Sequence, residues 1–319
     1  SDLATLHGRL LRIETANTGF WRVFTHSLFW LPSRADREGG IAATFKGICM
    51  FFTLRLLLTL CGLTVVLTAC ETAPVSGRSQ IMLVSESEER DMGLKAYREV
   101  LSKEPLSGNT QANALVEKVG RRIAAAAERP PEDMWRAPHF RWEFKTIDKN
   151  EPNAFCLPGG KIAVYTGLLP ITRTEAGLAV VIAHEVAHAL ARHGAERMSD
   201  QMVAAVGTTA AAVALSATVS GRSRTYLPAM MAAVGAGATV GFILPMSRAQ
   251  ESEADRIGLV LMAMAGYDPR EAVGLWERMR AANSGKQQAE WLSTHPADTT
   301  RISDIKRWLP EAMKYYRAR

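Results

Sequence analysis

The stretch TEAGLAVVIAHEVAHALARH, residues 174–193, decides the reading of this chain. Apolar residues run through it almost without break, with Leu178, Val180, Val181 and Ile182 on one side and Ala189 and Leu190 on the other. One buried helix is therefore expected from Thr174 to His193. At its centre stands His184-Glu185-Val186-Ala187-His188, an HExxH motif. Residues four apart on a helix are rotated by about 40° and share a face, so both imidazoles can reach one metal ion. Glu185 follows the first histidine and can address the remaining coordination position, where a water would sit. A catalytic zinc site of this kind has three protein ligands and one open position. The alternative is a buried helix with two hydrogen-bonded histidines. Two imidazoles and a carboxylate inside an apolar helix are costly unless something pairs with them.

The third ligand lies elsewhere in the chain. A metzincin would place a Gly three residues and a His six residues beyond His188, where this chain has Ala191 and Gly194. His193, five residues on, is read as a cation at the helix C-terminus. Downstream, Gln250-Glu251-Ser252-Glu253-Ala254-Asp255 opens another helix, which runs to about Ala265 before Gly266. Glu251 and Asp255 share a face there, one to bind metal and one to orient a histidine. Glu253 is turned about 200° from Glu251 and is read as a solvent-facing charge. An ordinary acidic helix start is the plainer reading of this pair.

Five segments then carry a resemblance. Asn153-Ala154-Phe155, PGGKIAVYTGLL at 158–169, HEVAH at 184–188, SRAQESEAD at 247–255, and Ser293-Thr294-His295-Pro296 followed by Arg301-Ile302 resemble the HtpX / CAAX-prenyl-protease family of zinc endopeptidases. Within that family the chain looks most like the envelope-lipoprotein branch of LoiP and BepA. The resemblance implies an α+β, mostly α-helical, zincin-like metalloprotease domain with a small β-sheet over 85–319. It implies one zinc ion held by His184, His188 and Glu251, with Glu185 as the base and Asp255 behind the ligands. His295 and Arg301 are the candidates for stabilising the oxyanion, and in BepA-like relatives the histidine at the position of His295 can also close the zinc site. The strand Lys161–Thr166, with Ile162 and Val164, beside Asn153, Ala154 and Phe155, could pair with an extended substrate. Its plainer reading is a core strand.

The front of the chain has its own pattern. Met50-Phe51-Phe52-Thr53-Leu54-Arg55 reads as a short positive segment, Leu56–Leu67 as an apolar segment too short to span a bilayer, and Leu67-Thr68-Ala69-Cys70 as a lipobox. Cleavage before Cys70 would leave a lipidated cysteine, and the alternative is an uncleaved anchor. Residues 1–49 are then expected to be an over-extended gene start or a disordered extension, 50–69 a signal peptide and 70–84 a tether. Of the four cysteines only Cys156 would remain unmodified, so no internal disulfide is expected.

Composition agrees with a sizeable core: 47% of the 319 residues are hydrophobic. The net charge is +6, but residues 70–319 hold 31 Lys/Arg against 28 Asp/Glu, and no basic stripe is interleaved with aromatics, so nucleic acid is not an expected partner. Helices are expected over Ser85–Leu101, with Ser85 and Glu88 as a capping box, and over Thr110–Glu128, Ser247–Ala265, Pro269–Asn283 and Asp298–Tyr315. Strands are expected over Phe140–Ile147 and Lys161–Thr166. Two apolar runs, Val203–Val219 and Leu227–Leu244, read as a helical hairpin over 203–245 packed on the core, or as a lid or membrane-facing surface. The expected function is a zinc endopeptidase, lipid-anchored in the bacterial periplasm and outer membrane, that removes misfolded or unassembled envelope proteins. A zinc-binding chaperone and an integral-membrane protease are the alternatives.

Overall fold

The computed structural model describes residues 50, 53, 70–132, 134–218, 246–282, 291, 295 and 300–318. The chain divides into a unit of residues 1–67 and a unit of residues 68–319. In the first, Met50 and Thr53 are helical, and the Thr53 hydroxyl donates to the Met50 carbonyl at 3.0 Å. The rest of the expected signal segment, and the second apolar run at 227–244, lie outside the described residues. All elements named below belong to the second unit.

The second unit opens with β1 (Cys70–Thr72) and β2 (Ser79–Ile81), an antiparallel pair in which Cys70 faces Ile81. The expected tether over 70–84 is thus a hairpin laid on the domain, because its turn residues Ser76 and Arg78 find buried acidic partners in the core. Helices α1 (Glu86–Lys103) and α2 (Thr110–Ala127) follow. The first starts at the expected capping box, in which the Ser85 side chain accepts the Glu88 amide and Glu88 accepts the Ser85 amide.

Three strands come next: β3 (Glu143–Ile147), β4 (Ala154–Leu157) and β5 (Lys161–Tyr165). Their order in the sheet is β3-β5-β4, with β5 parallel to β3 and antiparallel to β4. The strand expected to receive substrate is therefore the central one, and Ile162 and Val164 are buried in the core. Both of its edges are already paired, which leaves β3 and β4 as the outer strands, β3 bridged at its end by Leu106 to Ile147.

The motif helix α3 (Glu175–Leu190) is capped by Thr174, whose side chain accepts from Gly177 N at 3.0 Å. It is buried from Gly177 to Leu190. Fully buried Leu178, Val181 and Ile182 each contribute about 1.5–3 kcal/mol by leaving water. α3 ends sooner than the sequence suggested. Arg192 takes a left-handed backbone (φ 57°), and α4 (His193–Thr218) starts in a new direction. The first apolar run thus falls in α4 as far as Thr218. The catalytic layer is completed by α5 (Arg248–Met264), α6 (Glu271–Ala282) and α7 (Arg301–Ala312). α5 makes the most extensive contact with α3, followed by α2. Among the described residues no helix is long and apolar enough to cross a membrane.

Candidate metal centre

Two helices, with Trp291 and His295, build the centre. α3 presents His184 and His188 on one face, as their spacing demands. α5 begins at Ser247, whose side chain accepts from Gln250 N while Gln250 reaches back to the Ser247 amide, and this box places Glu251 in the first turn. The two helices approach closely where α5 carries Gly258. A Cβ there would stand 3.2 Å from the His184 backbone nitrogen, a tight contact that glycine spares, so α5 lies close against the first histidine.

The donor atoms converge. His184 Nε2 and His188 Nε2 are 3.0 Å apart, and Glu251 lies 3.4 Å from each through its two oxygens. His295 Nδ1 joins them, 3.2 Å from His184 Nε2 and 2.9 Å from Glu251 Oε1. These four buried residues offer donor atoms all within 4.8 Å of one another. Ligands about 2.0–2.2 Å from a tetrahedral zinc are themselves spaced by about 3.3–3.6 Å, so the set fits that ion. Burial alone would raise the Glu251 carboxyl, but His295, Arg301 and the two α3 histidines hold it well below the usual carboxylate range. Burial opposes charge on both α3 imidazoles. It prevails at His188, which is held well below its ordinary value, whereas hydrogen bonds to Asp255 and Glu251 lift His184 to about 9. Two imidazoles facing one carboxylate thus compete for a single positive charge.

The residues behind the donors hold them in place. Asp255 Oδ1 is 3.0 Å from His184 Nδ1, the position expected for an acid that fixes the ring. Arg301 was expected to face the reaction. Instead its guanidinium is buried and spent on the acids: Nε and Nη2 donate to the two Asp255 oxygens at 2.6 and 2.7 Å, and Nη1 donates to Glu251 Oε2 at 2.7 Å. It lies over the Trp276 ring at 3.5 Å. Arg301 therefore orients Glu251 and Asp255 from outside the cleft.

Glu185 and His295 do line the cleft, together with Asn153, Ala154, Phe155 and Cys156. Glu185 Oε1 accepts from Trp291 Nε1 at 2.7 Å and is 3.5 Å from His295 Nε2. Trp291 is fully buried and stacks on His295 (centroids 4.9 Å apart, planes at 27°). Nothing local in the sequence marks this tryptophan. Its role depends on the chain after α6 returning to α3, where Trp291 N donates to the Pro152 carbonyl.

His193, read as a cation at a helix end, and Glu253, read as a solvent-facing charge, are both buried and bonded to each other. His193 is fully buried, with Nδ1 2.8 Å from His188 Nδ1 and Nε2 2.9 Å from Glu253 Oε2. Glu253 is buried as well and receives Ser76 Oγ at 2.7 Å and Arg78 Nε at 2.8 Å. Burial would raise its carboxyl, yet the hydrogen bonds from His193, Arg78 and Ser76 bring it down to about 2. Burial lowers the His193 imidazole against the pull of Glu253. The back of α5 faces the β1–β2 turn rather than solvent, which rotation angles alone could not reveal.

Residues 110–309 match the family model of Peptidase family M48. This chain belongs to peptidase family M48. The M48 chain is 39% identical over 250 residues to mitochondrial metalloendopeptidase OMA1 of Schizosaccharomyces pombe, spanning 77% of this chain and 68% of that relative. It is 35% identical over 263 residues to OMA1 of Saccharomyces cerevisiae, spanning 78% and 72%. It is 27% identical over 239 residues to the beta-barrel assembly-enhancing protease of Escherichia coli, spanning 75% and 47%. The M48 chain is thus a zinc metalloendopeptidase with protein substrates, as its motifs implied. The expected address in the bacterial periplasm and outer membrane is overturned. The relatives of 39% and 35% identity are mitochondrial by name, and the beta-barrel assembly-enhancing protease is more distant.

Proposed function

We propose that this M48 endopeptidase cleaves extended segments of misfolded or unassembled proteins laid along β4, with Glu185 as the general base. The observation that carries the reading is the placement of Glu185 on the cleft wall beside the donor cluster, with one oxygen pinned by Trp291. His184, His188 and Glu251 would hold the zinc ion. Zinc, when bound, supplies Lewis acidity to a peptide carbonyl and to water. Trp291 occupies Glu185 Oε1, which leaves Oε2 to take a proton from the attacking water and to hand it to the departing amine nitrogen. Asp255 and Arg301 keep the ligands from turning. His295, with Nδ1 2.9 Å from Glu251 Oε1 and Nε2 3.5 Å from Glu185 Oε1, would stand beside a bound substrate carbonyl and stabilise its oxyanion.

β4 suits an extended segment because it is an edge strand of its sheet and its residues line the cleft with Glu185. Tyr165 N donates to Asn153 O, so by antiparallel alternation the backbone groups of Ala154 and Cys156 point away from β5. Asn153 Oδ1 already accepts the Ala154 amide at 2.9 Å, leaving the Ala154 carbonyl and both Cys156 groups for a substrate strand. Backbone pairing reads little sequence, which suits unfolded clients.

Glu185→Gln tests the proposal. It is expected to keep zinc and fold while losing casein cleavage by several orders of magnitude, and wild-type cleavage by that variant would reject the assignment. Membrane attachment through a lipid on Cys70 is a separate proposal carried by Leu67-Thr68-Ala69-Cys70 alone. The mass of the peptide beginning at Cys70 decides it, and an unmodified cysteine there would end it.

A further inference from the structure

The two α3 histidines are held from behind in different ways. His184 meets a carboxylate directly, at Asp255. His188 meets another histidine, and only beyond it a carboxylate: His188 Nδ1 to His193 Nδ1 at 2.8 Å, then His193 Nε2 to Glu253 Oε2 at 2.9 Å. The helix break at Arg192 makes this possible, since it turns His193 back toward the ring it follows.

The proton positions in this row are fixed by what each atom can do. An ionised carboxylate only accepts, so the proton between Glu253 and His193 sits on His193 Nε2. A neutral His193 then has its lone pair on Nδ1, and the proton in the next bond sits on His188 Nδ1. That leaves the lone pair of His188 on Nε2, the atom that faces His184 and Glu251. The reverse order would put a proton where a metal must bind. Glu253 is itself locked by Ser76 and Arg78 of the β1–β2 turn, and Arg78 also pairs with Glu196 of α4.

We propose that His193 and Glu253 are positioning residues that set the tautomer and orientation of His188 for zinc, and that the β1–β2 turn reinforces them through Ser76 and Arg78. This rests on the reading of His188 as a ligand. Partners of this kind typically change metal affinity by about 10–100-fold.

The test uses the full chain and zinc itself, measured by competition with a chromogenic chelator. His188→Leu comes first, since retention of wild-type affinity there would remove the ligand reading on which the relay depends. His193→Leu is expected to raise the zinc dissociation constant about 10–100-fold while the zinc-free chain keeps its circular dichroism and thermal midpoint. His193→Gln, whose amide oxygen can still accept from His188 Nδ1, is expected to recover most of that loss. Arg78→Met is expected to weaken zinc binding more mildly, and to add nothing in the His193→Leu background. Wild-type affinity in His193→Leu, or no recovery in His193→Gln, would overturn the proposal. Should His193→Leu not fold, the wild-type chain decides. Long-range nitrogen–proton spectra of the zinc-loaded protein are expected to show His188 protonated at Nδ1 and His193 at Nε2. An unprotonated His188 Nδ1 would overturn the relay.

Discussion

Trp291 Nε1 and Glu185 Oε1 are joined by a 2.7 Å hydrogen bond in which both partners are buried, so the orientation of the base is set by a residue more than a hundred positions away in the chain. The indole is held in turn by stacking on Trp276 (centroids 5.1 Å apart, planes at 29°) and on His295. The bond does two things. It satisfies one lone pair of a carboxylate in a water-poor place, and it selects which oxygen faces the cleft.

Trp291→Phe isolates that bond, since the ring stack survives and the donor is lost. A hydrogen bond to a charged group contributes about 1.5–3 kcal/mol, so kcat/KM is expected to fall about 10–100-fold with zinc content unchanged. Steady-state cleavage of a fluorogenic peptide, with zinc measured in the same sample, checks this. Unchanged kcat/KM would mean that Glu185 is oriented by something else.

Glu251, Asp255 and Arg301 form a graded series. Glu251→Gln removes an anionic donor and is expected to abolish stoichiometric zinc binding. Asp255→Asn leaves the ligands in place and is expected to cost about 10–100-fold in zinc affinity. Arg301→Lys cannot reproduce the fork that spans both acids, so it is expected to resemble Asp255→Asn rather than wild type. Zinc stoichiometry and dissociation constants on the three purified variants give the order. A wild-type constant in Arg301→Lys would show that the fork is not needed.

How much of this could be read in advance follows from how local each signal is. His184, Glu185 and His188 lie within one helical turn, and Glu251 and Asp255 within another, so helix geometry alone placed them. The same geometry misplaced Glu253. Its angular position was right, but what packs against the back of α5 is the turn of a hairpin more than 170 residues earlier in the chain. His193 was misread because the helix was carried through Arg192, whose left-handed backbone no residue pattern announced. For β4 and β5, an alternating run cannot say which strand is central. That depends on the parallel pairing of β3 with β5, a contact between distant segments.

The sheet order yields a third prediction. If substrate pairs with β4, removing the outward amide of Cys156 weakens binding without touching the centre. Proline is tolerated at an edge strand where the lost N–H is not in the ladder. Cys156→Pro is therefore expected to raise KM several-fold with zinc content and kcat little changed. A wild-type KM would argue against pairing at this edge.

The last prediction concerns stability. The donor cluster sets three imidazoles and the Glu251 carboxylate within 4.8 Å in a buried place, and Asp255 adds a second negative charge behind it, with Arg301 bonded to both acids. A cation there binds the folded chain and has no comparable site in the unfolded one, so its binding energy adds to folding stability. With free zinc at about a thousand times its dissociation constant, the gain is about 4 kcal/mol. For a domain of this size that corresponds to a midpoint shift of about 10 °C. Thermal unfolding with and without chelator is expected to show that drop, reversed by added zinc. His188→Leu is expected to lose the zinc-dependent part while still unfolding cooperatively, because α3 is anchored by Leu178, Val181 and Ile182 as well as by its histidines. A chelator-insensitive midpoint in the wild-type chain, with zinc shown to have left, would mean that the apolar packing of α3 and α5 sets the stability without help from the metal.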